Sequence, residues 1–173
     1  MAEADTLPQG DPGLLDTDTA RALLASTIPA RLAYVAPDGT PRIVPTWFTW
    51  NGQEIVMGTY VRAPHVSRPA ARIAALRSNP SVAISIDSDT QPPQVLSIRG
   101  QAIVTEQPGA VSEYAEAAHR YLGDEMANGL LGSLDESNTV MARIAVVPRW
   151  VGVIDFETRL PAALGGVVGA GDS

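Results

Sequence analysis

The chain has 173 residues, 45% of them hydrophobic and 18% charged, with a formal net charge of −7 at pH 7. That length suits one domain with a sizeable core, and that composition is globular, not disordered. The acidic balance argues against nucleic acid or an anionic membrane surface as partner, and no apolar run reaches the roughly 18 residues of a membrane span.

Residues 1–15 hold Pro8, Gly10, Pro12 and Gly13 and are expected to form a flexible arm. Asp16 or Asp18 is placed to cap a short helix whose apolar side carries Ala22, Leu23 and Leu24. Arg31 to Ala36 reads as a strand, closed by the turn Pro37-Asp38-Gly39-Thr40, where proline presets one dihedral and glycine accepts a positive one. Pro41 to Trp50 reads as a second strand, and Asn51-Gly52 is a strong hairpin signal leading into a third, Gln53 to Tyr60. These strands are expected to pair as an antiparallel meander. Ser67-Arg68-Pro69 then predicts a helix start with Ser67 as cap, Ile73 and Leu76 as its apolar stripe, and Asn79-Pro80 as its stop.

Ser81 to Asp87 alternates cleanly and reads as a strand, followed by a polar loop to Pro93. Gln94 to Thr105 is a long strand in which Gly100 marks a bulge or a close backbone approach. Gly109 to Leu122 has helical spacing, Gly123 to Asn138 is a short helix and loop, and Thr139 to Phe156 is a last long strand that Pro148 should break or bulge. Six mainly antiparallel strands with few crossover helices predict a mainly β (α+β) fold, a small barrel or half-open barrel with flanking helices. The domain is expected to span residues 16–160, with a flexible tail at 161–173.

The residue inventory removes several chemistries. There is no cysteine, which excludes disulfides, thiolate metal sites and a cysteine nucleophile, and suits a cytoplasmic location. All twelve basic residues are arginine, so neither a Schiff-base lysine nor a phosphate-loop lysine is available. His65 and His119 stand far apart without companion ligands, so no metal site is expected. Neither G-x-S-x-G nor G-x-G-x-x-G after a strand occurs, and Glu113 and Glu116 read as solvated charge on a surface helix. With no acid–base apparatus of its own, an enzyme of this composition needs a cofactor for the hard step. From Ile55 to Ile86 there is no acidic residue, while Arg62, Arg68, Arg72 and Arg77 fall in that window with His65. Arginine forks unopposed by carboxylates suit a phosphate or carboxylate ligand, and a solvated helix face is the other reading of the same stretch.

The run Asp38-Gly39-Thr40-Pro41-Arg42-Ile43-Val44-Pro45-Thr46-Trp47-Phe48, then Gly58-Thr59, then Arg72-Ile73-Ala74-Ala75-Leu76-Arg77-Ser78-Asn79-Pro80-Ser81-Val82, resembles the pyridoxamine 5'-phosphate oxidase-like flavin-binding superfamily over about Ala30 to Phe156. The resemblance implies a six-stranded antiparallel split β-barrel that binds flavin mononucleotide (FMN) or, in a variant of the superfamily, the deazaflavin coenzyme F-420. It implies a homodimer with cofactors between the subunits, acting on a small molecule by hydride or electron transfer; a non-enzymatic flavin-storing protein is the rival function.

By resemblance, Ile43, Val44, Pro45 and Thr46 face the isoalloxazine through their backbone, with Arg42 as the basic residue before them. Thr59, after Gly58, matches a phosphate contact, and Arg72 matches the family's basic residue at the start of the following helix. The preceding basic position of the family falls on Ala71, for which Arg62 or Arg68 is a substitute. The oxidase lysine of the second strand falls on Trp47, and Trp47, Phe48 and Trp50 are candidates for an apolar wall. Trp150 and Arg159 are placed to reach a partner's site. No catalytic residue is assigned.

Overall fold

The structure, a computed structural model, describes residues 6–161 and 164. Seven strands, β1 (Ala30–Val35), β2 (Pro41–Thr46), β3 (Thr49–Trp50), β4 (Ile55–Arg62), β5 (Ser81–Asp87), β6 (Val95–Pro108) and β7 (Val140–Ile154), form one sheet in the order β2-β1-β5-β6-β7-β4-β3. Every pairing between these strands is antiparallel.

The two edge strands of this sheet are neighbours in sequence, joined only by Trp47-Phe48. The sheet therefore curls until its edges meet, a barrel left open along one seam. This corrects the expected meander. The long second strand breaks into β2, paired with β1, and β3, paired with β4, and the strand count rises from six to seven. The cause is local. Phe48 turns fully into the core and its carbonyl accepts a hydrogen bond from Arg120 instead of a strand partner. Phe48 and Thr49 are consequently both buried, and the alternation that a continuous strand requires is lost there. Pro45, which has no N–H to donate, is tolerated because β2 is an edge.

The core fills the barrel. Leu32 of β1, Met57 of β4, Ile98 of β6 and Ile144 of β7 are at most 1% exposed, and burying one such side chain is worth about 1.5–3 kcal/mol. Gly100 meets both expectations placed on it. The β6–β7 register shifts between Arg99, opposite Trp150, and Gly100, opposite Pro148, which leaves Arg149 as the bulged residue. A Cβ on Gly100 would stand 2.4 Å from the Val147 carbonyl oxygen, a backbone atom that has nowhere to go. Gly100→Ala is therefore expected to destabilise the fold by about 1–3 kcal/mol; a denaturant titration superimposing on that of the parent would refute the close approach.

Four helices flank the barrel: α1 (Asp18–Ala25), α2 (Ala71–Ser78), α3 (Ser112–Leu122) and α4 (Asp124–Gly132). The α1 cap is Thr17, whose hydroxyl accepts from the Ala20 amide, and the buried face holds Ala20, Leu23 and Leu24 while Ala22 is exposed. α2 starts later than Ser67 suggests. Its cap residue Ala70 is extended (φ −62, ψ 129) and has no side-chain cap bond. Pro64 and Pro69 hold the preceding connection out of helical geometry, each restricting the residue before it. Gly123, at φ 78, separates α3 from α4.

The described part of the expected N-terminal arm is bound, not free. Leu14 is fully buried, the Gly10 amide donates to the Val151 carbonyl, and the Gln9 side chain both donates to and accepts from the Val153 backbone. Most of the expected C-terminal tail lies outside the described residues. Among the described residues, no helix is long and apolar enough to cross a membrane.

Candidate functional site

Two consecutive residues of β4 organise the site. Thr59 is buried, and its hydroxyl accepts a 2.5 Å hydrogen bond from Nη2 of Arg72, the second residue of α2. Burial lowers the pKa of the half-buried Arg72 guanidinium, opposed by Tyr34 nearby. Its environment differs from that of the other cations. Arg31 pairs with Asp87 at 2.5 Å, Arg77 with Glu106 at 2.6 Å, and Arg143 with Glu54 and Glu113 at 2.9 and 2.8 Å. Arg120 spends its two terminal nitrogens on the Leu24 and Phe48 carbonyls. Arg72 is partly desolvated and, among the described residues, has no carboxylate partner and a single neutral acceptor for a fork of five N–H donors. A charge so placed is costly unless an anion completes it.

Gly58, the residue before Thr59, opens on a hollow of about 370 Å³ lined by Pro29, Pro45, Thr46, Trp47, Gly58 and Tyr114. Glycine is required there because a Cβ would come within 2.7 Å of the Tyr114 Cβ, where α3 presses on β4. Two of the six lining residues, Trp47 and Tyr114, are aromatic and give the hollow flat walls. Trp47 stacks on Tyr121 with centroids 5.4 Å apart and planes inclined by 12°, and on Tyr114 at 6.1 Å and 29°. Tyr60 meets Tyr114 edge-on at 5.7 Å and donates a long 3.4 Å hydrogen bond to its hydroxyl. Burial, together with this contact, pushes the Tyr114 pKa well above the usual phenol value, so the hydroxyl is neutral at physiological pH.

The helix α3, which carries Tyr114 and Tyr121, is fixed at both ends. Arg143 bridges Glu113 of α3 and Glu54 beside β4, so Glu113 is ion-paired, not merely solvated as expected. Burial, the largest single influence, would raise its carboxyl; the hydrogen bonds from Arg143, its own backbone amide and Ser112, together with the Arg143 charge, outweigh that and hold it below the usual range. Near the other end of the helix, the Arg120 guanidinium lies 4.6 Å from the Phe48 ring centroid while donating to the Phe48 carbonyl.

The structure brings together Pro45, Thr46, Trp47 and Gly58 in the hollow, and pairs Thr59, the next residue of β4, with Arg72. It places the remaining sequence candidates elsewhere in the single chain. Arg42 is exposed and tied to the β1–β2 turn, pairing with Asp38 at 3.0 Å. Val44 is half-buried against the core. Ile43 is 64% exposed and shares with Trp150 a separate shallow hollow on the outer face of the sheet. Arg99 covers the Trp150 ring there at 4.0 Å. Arg62 and Arg68 are exposed, with no ion pair among the described residues. Arg159 is 2% exposed and donates to the Leu7 carbonyl, fastening the N-terminal stretch. His65 packs edge-on against Tyr60, His119 pairs with Asp124, and the described residues contain no cluster able to hold a metal ion.

Tyr114, Pro29 and Tyr60 are the lining and supporting residues that sequence reasoning missed. Tyr114 was visible only as an apolar helix position, and the one local signal for it is Gly58, a glycine inside a strand.

A family profile, that of pyridoxamine 5'-phosphate oxidase, matches residues 16–148. The chain belongs to the pyridoxamine 5'-phosphate oxidase family. Membership of this family agrees with the open-seamed barrel and with the resemblance carried by the runs Asp38 to Phe48, Gly58-Thr59 and Arg72 to Val82. Solved structures extend the comparison. An F420 reductase is 26% identical, with 75% of this chain and 93% of that one covered at a TM-score of 0.57. A conserved hypothetical protein of Mycobacterium tuberculosis is 20% identical, covering 87% and 89% at 0.57. A heme storage protein of Vibrio cholerae is 18% identical, covering 76% and 88% at 0.50. The last two show the shared fold alone. No curated protein matches the chain.

Proposed function

We propose that this member of the pyridoxamine 5'-phosphate oxidase family binds FMN and acts as an oxidoreductase on a small molecule. The observation that carries this is the half-buried Arg72, hydrogen-bonded to Thr59 and without a carboxylate partner among the described residues, with a flat apolar hollow opening at the preceding strand residue, Gly58. The residues fit the group: Arg72 and Thr59 would hold the phosphate, the edge strand β2 from Ile43 to Thr46 would offer backbone groups to the ring system, and Trp47 would wall it. When bound, the isoalloxazine supplies the hydride or electron transfer that no side chain here provides. The chain's own part is to neutralise the phosphate, to keep water from the ring with prolines and aromatics, and to hold a proton on the Tyr114 hydroxyl.

A homodimer in the cytoplasm belongs to this proposal. It is supported by apolar side chains presented on the outer sheet face, with Ile43 64%, Ile103 56% and Val147 42% exposed. The deazaflavin coenzyme F-420 is a second reading, favoured by the 26% identity to an F420 reductase and by Arg62 and Arg68, which have no ion pairs among the described residues and would suit a longer acidic tail.

The experiment is a titration of the purified protein with FMN, with mass spectrometry of any co-purified ligand. Quenching of flavin fluorescence and a raised melting temperature are expected. A colourless protein that neither quenches FMN nor gains stability from it would overturn the proposal, and tight binding without turnover by any reductant would make the protein a carrier.

A further inference from the structure

We infer that Arg120 is a positioning residue for the flavin site: its guanidinium fork bridges the end of α1 and the β2–β3 link, and thereby holds the Trp47 indole where a ring can lie against it. The inference rests on the flavin-binding reading above, in which Trp47 walls the ring.

Two adjacent residues near the end of α3 reach the chain on one side of the hollow. Arg120 donates through Nη1 to the Leu24 carbonyl at 2.8 Å and through Nη2 to the Phe48 carbonyl. Leu24 lies in the last turn of α1, where carbonyls lack helical partners and a cation is favoured. Phe48 follows Trp47 directly in the link between the two edges of the sheet. Tyr121 donates its hydroxyl to the Ile28 carbonyl at 3.2 Å and stacks on Trp47. Ile28 precedes Pro29, so the immediate neighbours of two lining residues, Pro29 and Trp47, are pinned from a single turn of α3.

Stability alone does not account for an arginine here. Among the described residues Arg120 forms no ion pair, and its buried Nε has no hydrogen-bond partner. A cation and an N–H left in that state are costly to bury, and the rings it covers, Phe48 at 4.6 Å and Tyr121 at 5.0 Å, offset part of that cost. What the planar fork supplies, and an ammonium or an apolar chain does not, is two donors fixed relative to each other. They set the Phe48 backbone against the end of α1, and so the point from which Trp47 projects. With the fork removed, Trp47 keeps its stacks but loses its backbone anchor, and the cost of ordering the indole falls on the ligand.

The test begins with fluorine NMR of the cofactor-free protein, its three tryptophans replaced by 5-fluorotryptophan. Trp47→Phe and Trp150→Phe assign the two resonances used. In Arg120→Met the Trp47 resonance is expected to move or broaden, while that of Trp150, on the outer sheet face, keeps its parental position. FMN and riboflavin are each expected to bind about three- to tenfold more weakly, the cost of ordering one loosened side chain. Their ratio is expected to stay parental, because the phosphate end is untouched. A role in stability alone would lower the unfolding midpoint and leave the folded molecules with the parental Trp47 signal and parental affinities; either parental value overturns the inference. So does a Trp150 resonance displaced as far as that of Trp47, or a loss confined to FMN. Arg120→Lys keeps the charge and reaches one carbonyl at a time, so the same changes are expected at smaller size, and full parental behaviour would overturn the assignment to the fork. Where Arg120→Met does not fold, the lysine variant decides, and failure of both to fold overturns the inference in favour of a structural role. A parent protein that binds no FMN is a failure of the proposed function instead. The fluorine spectra are then the test of Trp47 positioning, with the same expected and overturning results.

Discussion

Replacing Arg72 by alanine is expected to weaken FMN binding about ten- to a hundredfold, the 1.5–3 kcal/mol typical of hydrogen bonds to a charged group. The same substitution is expected to leave the stability of the cofactor-free protein unchanged or slightly raised. In the ligand-free chain the guanidinium is partly desolvated, and its recorded polar contact is the neutral Thr59 hydroxyl. Removing it relieves an uncompensated charge and gives up one hydrogen bond. A residue kept only for structure would behave oppositely, losing stability and leaving affinity alone. Arg72→Lys should fall between, because the charge survives and the fork does not. Fluorescence titration with FMN, paired with urea denaturation of the cofactor-free variants, checks both halves. An Arg72→Ala protein with parental affinity would remove the clamp from the account.

The largest expected loss of stability is at Phe48, where alanine should cost about 3–5 kcal/mol. Phe48 is 0% exposed and sits in the two-residue link between the sheet's two edges. Its ring meets Tyr121 edge-on at 6.5 Å, and the Arg120 guanidinium covers it at 4.6 Å. Truncation would leave a cavity at the seam and loosen the end of α3 that supports Trp47 through Tyr121. Denaturant unfolding measures this directly, with half-buried Trp50, on the other side of the same link, as a milder comparison. A Phe48→Ala protein within about 1 kcal/mol of the parent would mean that the seam does not depend on this side chain.

Much of the barrel was legible in the sequence because hairpin chemistry is local. Gly39 and Gly52 take positive φ where Asp38-Gly39 and Asn51-Gly52 announced turns, and Gly100 marked the bulge opposite Pro148. The break at Trp47-Phe48 was hidden. Its residues have good strand propensity, and what splits them is the closure of the whole sheet, a long-range event with no local signature. The α2 start was misplaced for the opposite reason, since a plausible cap at Ser67 was overridden by the prolines on either side of it.

The site divides along the same line. Thr59 and Arg72 lie in a stretch whose lack of acidic residues is visible by inspection, and the structure shows which arginine of that stretch is both half-buried and without a carboxylate partner among the described residues. Arg77 finds Glu106 on β6, and no reading of the local sequence reveals that pair. Tyr114 falls in a segment read only by its helical spacing, which cannot distinguish a side chain that packs inward from one that lines a hollow. The placement of Trp150 and Ile43 on the outer sheet face is equally invisible to pattern, since it follows from register across five strands.

The most direct test is to compare FMN with riboflavin, which differs from it only by the phosphate. Titrated into the purified protein, FMN is expected to bind at least tenfold more tightly than riboflavin, and that advantage should vanish in Arg72→Ala. Equal affinities in the parent protein, or a preference for FMN that survives loss of the guanidinium, would contradict the assignment of Arg72 and Thr59 as the phosphate clamp.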